Sequence, residues 1–154
     1  MKTKGLVGVH VRLVIRRDLP EVLATEKDCD HPWDEQALCD HLGEPNVVGM
    51  VAEVDGRAVG HMVYSLHKRR IDLLRLGVHK AHRRAGVGTA LMDKAKDKVG
   101  IQRRILRVDA WDGNLPLHLF LRSQGMTAIG VERGALLDEA DAYRFEWPSE
   151  RKGN

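Results

Sequence analysis

The chain has 154 residues, 43% apolar and 31% charged, with a net charge of +3. One ordinary domain fits that length and can bury a core without disulfide or metal staples, and the composition excludes a disordered chain. The charge is too mild and scattered for a nucleic-acid-binding face, and no apolar run approaches the roughly 18 residues of a membrane span. His10 and Arg12 interrupt the apolar stretch behind Lys2 and Lys4, where a signal peptide would need continuity. A cytoplasmic protein without nucleic-acid or membrane partners is expected.

In chain order, Val11 to Ile15 reads as a short strand. Asp18 and Glu21 form a capping-box pattern for a first helix that ends near Asp28, with Pro20 tolerated in its first turn. Pro32-Trp33-Asp34-Glu35 opens a second helix that turns Ala37, Leu38 and Leu42 inward and ends before Gly43. The strands Val47 to Val54 and Ala58 to Leu66 flank Asp55-Gly56, a hairpin dipeptide whose two residues tolerate positive φ. Ile71 to Val78 completes an antiparallel meander. A third helix follows the glycines, with Val87, Leu91 and Ala95 on one face, Asp93, Lys94, Lys96 and Asp97 on the other, and Gly100 as its terminator.

Arg104 to Ala110 returns to strand character. Asn114 caps a fourth helix, Leu115 to Gln124, stopped by Gly125, and two strands close the chain at Met126 to Val131 and Asp141 to Trp147. The expected fold is one α/β domain over residues 1–148 with a mixed central sheet, and residues 149–154 form a C-terminal tail. Cys29 with His31, and Cys39 with His41, offer four zinc-type donors. Their i,i+2 spacing diverges on a helix, so free cysteines and no metal are expected.

The chemistry concentrates between Leu76 and Leu91. A strand there enters a loop that ends in glycines and opens a helix. The free N–H groups of a helix's first turn carry positive potential, and Gly86 and Gly88 remove the Cβ atoms that would hold an anion off. Arg83 and Arg84 add mobile charge at the rim, so the stretch reads as a pyrophosphate cradle. A dinucleotide fingerprint wants glycine where Leu91 stands, and a P-loop wants a lysine that Gly88-Thr89 lacks.

Arg83-x-x-Gly86-x-Gly88, with Val78 closing the preceding strand and Leu91 in the helix, resembles the signature of the GNAT superfamily of N-acetyltransferases. Asn114, Phe120 and Gly125 fall at the spacings of that family's second common stretch. Arg16 to Asp18, Glu26, Pro32 to Glu35 and Asp141-Ala142 look like the branch that acetylates the N-terminal alanine of ribosomal proteins.

The resemblance implies about seven strands and four helices, with a splay between strands 4 and 5. It implies acetyl-CoA as co-substrate and a primary amine, on a protein N-terminus or a small molecule, as acceptor in direct transfer by a monomer or homodimer. The backbone of Leu76, Gly77 and Val78 would line the pantetheine, and the segment Arg83, Arg84, Ala85, Gly86, Val87, Gly88 and Thr89 would hold the pyrophosphate. Asn114 and position 121 would also meet the cofactor.

Acetyl transfer needs a base, a donor to the carbonyl and an acid for the thiolate. Asp109 and Asp72 are the candidate bases, with pairing to Arg107 and Arg70 as their structural alternatives. The family's acid is a tyrosine at the position of Leu121, so His118, one turn earlier, is the candidate acid. The family's Tyr-Tyr clamp is replaced by Gly134-Ala135-Leu136-Leu137, and Asp138, Glu139 and Asp141 form an acidic cluster nearby. The alternative reading is a catalytically weak acyl-CoA-binding sensor.

Overall fold

The computed structural model describes residues 8–134 and 141–148. The expected tail at 149–154 and the segment 135–140, with Asp138 and Glu139, lie outside the described residues. Asp55 at φ 51° and Gly56 at φ 79° form the expected hairpin turn between strands β2 (Val47–Val54) and β3 (Arg57–Leu66). β1 (His10–Leu13) pairs with β2, and β4 (Arg70–Val78) with β3, all antiparallel. Helix α3 (Val87–Lys96) then carries the chain across to β5 (Ile105–Trp111), which lies parallel to β4. A parallel neighbour requires such a crossover.

Helix α4 (Leu115–Ser123) leads to β6 (Thr127–Glu132), and β7 (Ala142–Trp147) inserts between β5 and β6. The seven-stranded sheet runs β1-β2-β3-β4-β5-β7-β6. Among the described residues, no helix is long and apolar enough to cross a membrane.

Each face of the sheet buries its own core. Met62, Tyr64, Ile71, Leu73, Leu106, Val108 and Phe145 meet Leu91, Met92 and Ala95 of α3 and Leu121 of α4. On the other face, Val51 and Val63 meet Val22 of α1 (Leu19–Glu26) and Leu38 of α2 (Glu35–Leu42). Strand alternation therefore assigns sides: Leu106, Val108 and Ala110 face α3 and α4, so Arg107 and Asp109 face the α1 side.

Caps follow the sequence with one exception. Asp34 Oδ1 accepts from the Ala37 N–H and Asn114 Oδ1 from the Leu117 N–H, each fixing a helix start. The capping box expected of Asp18 and Glu21 does not form. Asp18 is buried and spends its oxygens on the Ile15 N–H and the Arg12 guanidinium, while Glu21 reaches across to the Ala58 N–H. An ion pair with Arg12, six residues back, and the Ile15 N–H outcompete the α1 cap. Helix α3 also stops at Lys96, short of Gly100, whose N–H instead donates to Arg103.

Candidate active site

The parallel ladder between β4 and β5 joins Arg70 to Ile105 and ends at Leu73 and Val108. β4 continues to Val78 without β5 beside it. A bulge marks the parting: on β3, Val63 and Tyr64 oppose Arg75 and Leu73, leaving Leu74 as the extra residue, and Leu74 is 36% exposed. A bulge bends its strand and raises its local twist, which peels β4 from β5.

Backbone alternation settles what the open edge offers. The His79 N–H donates to the Val59 carbonyl on β3, so the polar groups of Gly77 also turn to β3. Those of Leu76 and Val78 face the gap. Arg83 Nε donating to the Val78 carbonyl at 3.0 Å confirms the direction. Such an edge pairs with an extended amide-bearing chain as an added strand would.

At the end of that edge lies the cradle. Arg84 at φ 66° and Gly86 at φ 86° take left-handed conformations that curl the loop into the helix. The first intrahelical bond of α3 runs from the Ala90 N–H to the Gly86 carbonyl, so the N–H groups of Val87, Gly88 and Thr89 precede the ladder. Arg83 and Arg84 are exposed beside them, whereas the Val87 side chain is buried and leaves only its backbone for a ligand. A Cβ on Gly88 would sit 3.2 Å from Phe120 Cζ, so the glycine lets the Phe120 ring pack close over this turn. Gln124 Nε2 donates to Thr89 Oγ1 at 3.1 Å and ties α4 to the cradle.

Two expected site residues, Leu121 and Asn114, are engaged within the fold to different degrees. Leu121 is 0% exposed in the main core and has no surface for a cofactor; Phe120, half-buried against Gly88, is the α4 residue at the cradle. Its spacing matched the family stretch, but the sequence did not reveal which of two adjacent helix positions turns to the groove. Asn114 spends its side-chain oxygen on the cap of α4 and keeps its amide N–H groups for other partners.

The candidate bases lie together on the α1-side face, both engaged by arginine. Asp109 accepts two hydrogen bonds from Arg144, at 3.0 and 3.1 Å, and not from Arg107, which pairs with Glu146. Asp72 pairs with Arg70 at 2.9 Å, as its structural alternative held, and also with His67. An amine must compete with guanidinium groups for these oxygens.

His118 is on the opposite face, its ring against Tyr143 and Phe145. Its Nε2 donates to the Trp111 carbonyl at 2.9 Å, so neutral His118 has an acceptor, not a donor, at Nδ1. It can therefore act as an acid only as imidazolium. The zinc-type donors also diverge: His31 meets the Trp111 ring edge, His41 stacks on Trp33, and Cys39 is exposed.

Beside the open edge, on the α1 side, lies a buried polar cluster missed in the sequence. Glu26 and His61 are 1% and 2% exposed. His61 Nε2–H donates to Glu26 Oε2 at 2.7 Å; Arg75 donates to both Glu26 oxygens, and the Trp33 N–H to Oε1. Burial by itself pushes the Glu26 carboxyl up, but these donors and the Arg75 charge outweigh it and bring it down to about 2. Glu26 and His61 are 35 residues apart and on different elements, so no local spacing joined them.

A sheet that parts after its parallel pair, with an anion cradle at the end of the parted strand, defines the GNAT class of fold. The Acetyltransferase (GNAT) family model matches residues 15–126, and the chain belongs to that family. Among solved structures, Ard1 from Thermoplasma volcanium superposes with a TM-score of 0.78 at 22% identity, covering 91% of this chain and 97% of its own. The ribosomal-protein-S18-alanine N-acetyltransferase from Escherichia coli gives 0.75 at 17% identity, covering 95% and 97%. Arabidopsis thaliana Naa50, in complex with the bisubstrate analogue CoA-Ac-MVNAL, gives 0.74 at 16%, covering 91% and 98%. At these identities the likeness is one of fold. No curated protein matches the sequence significantly.

Proposed function

We propose that the protein is an acetyl-CoA-dependent N-acetyltransferase that moves an acetyl group directly to a primary amine. The observation that carries this reading is the open β4 edge continuing into the α3 cradle. Leu76 presents its backbone donor and acceptor along the gap and Val78 its N–H, the Val78 carbonyl being held by Arg83 Nε. The N–H groups of Val87, Gly88 and Thr89 that precede the helical ladder follow at its end. An edge for an amide-bearing arm, joined to a cradle for a pyrophosphate, fits CoA in both charge and order. The bisubstrate complex of Naa50 supports the same pairing of cofactor and amine, although it belongs to that protein.

The chain would bind and orient. Holding thioester and amine together saves roughly 7–11 kcal/mol of barrier. The backbone N–H at Leu76, turned away from β3, would polarise an acyl carbonyl in the gap. The acceptor would enter from the α1 side, where His31 meets the ring of Trp111 at the end of β5.

The test is release of free thiol from acetyl-CoA with a panel of primary amines and peptides, with Arg84→Glu as the control. Turnover with at least one amine, lost on reversing the charge at the cradle, is expected. Arg84 is exposed, so this substitution should leave the fold intact. CoA binding without turnover across the panel would favour the acyl-CoA sensor, a reading motivated by the missing tyrosine at Leu121. Absence of CoA binding would overturn both.

A further inference from the structure

His61 Nδ1 is buried and has no hydrogen-bond partner, which is uncommon enough in a native fold to need a cause. Its surroundings suggest one. A Cβ built on Gly77 would sit 2.6 Å from His61 Cε1, 3.3 Å from the adjoining Nδ1 and 3.1 Å from Cys29 Sγ. The unpartnered nitrogen therefore lies on the α1-side face of β4, over the residue between Leu76 and Val78. Its other nitrogen is fixed by Glu26 Oε2. A base held in one tautomer by a buried carboxylate, with its second nitrogen free, is the arrangement that general-base histidines use.

We propose that His61 is the base of the acetyl transfer, taking the proton of the acceptor ammonium at Nδ1 through one bridging water. The inference rests on the N-acetyltransferase reading above. Glu26 acts through His61 as a positioning residue. It remains a carboxylate near neutral pH, keeps the Nε2–H in place and faces the imidazolium that forms. The charged and titratable groups at the ring are Glu26 from α1, which Arg75 of β4 also holds, and Cys29 from the turn after α1, itself within the fields of Asp28 and Arg83. Arg75 offsets part of the Glu26 charge. Burial pushes the Cys29 thiol up to about 11, so it stays protonated and does not compete as a base or nucleophile.

The ammonium gives one proton to His61 Nδ1, and the freed amine nitrogen bonds to the acyl carbon. The C–S bond then breaks, the second N–H proton goes to the departing thiolate, and His61 returns its proton to solvent. The products are the amide, the free thiol and one proton. Asp72 and Asp109 are not needed as bases, which agrees with their arginine partners.

The experiment measures kcat against pH, with acetyl-CoA and an amine that turns over, for the wild type and His61→Gln. The glutamine amide can still donate to Glu26, so the cluster keeps its bond. Expected are a kcat lower by about a hundredfold or more and loss of the limb that falls toward acid pH. CoA affinity by calorimetry should remain within about twofold, a split that a merely structural role would not give. For the wild type, 15N chemical shifts of His61 should show protonation at Nε2 and titration at Nδ1 with the midpoint of the kcat limb. That measurement decides the matter even if the variant fails to fold. An unchanged profile in His61→Gln, or a His61 titration that does not track kcat, overturns the proposal alone. CoA binding without turnover by the wild type overturns it together with the acetyltransferase reading.

Discussion

At the scale of single residues, buried charge decides more than propensity. Glu26 titrates near 2 in the folded protein against an ordinary value of 4.5. A lowered carboxylate gives stability that is fully present above its unfolded value and lost as pH falls through its folded one. That contribution is roughly 3 kcal/mol at neutral pH and should disappear between about pH 4.5 and 2. Glu26→Gln should therefore lose about that amount in urea unfolding at pH 7, and converge on the wild type by pH 2. A difference that persists at pH 2 would assign the loss to packing. Leu121 gives a second test. The family's tyrosine cannot simply be restored there, because the side chain is 0% exposed in the core. Leu121→Tyr should overpack, costing about 1–3 kcal/mol in thermal unfolding without raising turnover.

At the scale of elements, local chemistry made much of the fold legible. Asp55-Gly56, Asp34 and Asn114 act within a few residues, and they turn or cap where the sequence places them. The Asp18 cap failed because its oxygens turn back to Arg12 at the end of β1 and to the Ile15 N–H, contacts that a capping-box pattern, which looks only forward along the helix, does not register. The cradle was legible for the opposite reason: its work is done by backbone, and glycine spacing writes backbone conformation into sequence. That makes Gly88 testable. A valine there crowds Phe120 Cζ from 3.2 Å and covers the free N–H groups of the first turn, but the Phe120 ring is half-buried and can move. Gly88→Val should weaken CoA binding at least tenfold by calorimetry, with little change in melting temperature. A large fall in melting temperature with binding retained would make the glycine a packing residue.

At the scale of the whole molecule, the parting of the sheet organises everything else. Hydrophobic alternation revealed the strands but not that β7 inserts between β5 and β6, nor which charges share a face. As a result Asp109 was expected beside Arg107 and lies on Arg144. The Glu26–His61 cluster was illegible for the same reason, since it exists only once α1 is laid across β3 and β4. The two halves of the sheet are joined directly by a β4–β5 ladder that runs only from Arg70 to Leu73. A ligand that fills the gap supplies contacts to both halves, and it binds only when they are folded together. Linkage then predicts about 2.7 kcal/mol of added stability at a CoA concentration one hundred times its Kd. For a chain of this length that is a rise of roughly 5–10 °C in melting temperature. The rise should shrink sharply with Arg84→Glu, which removes cradle charge without touching either core. An equal rise in both proteins would place CoA outside the cradle, and the open β4 edge would then have to be explained by a different occupant.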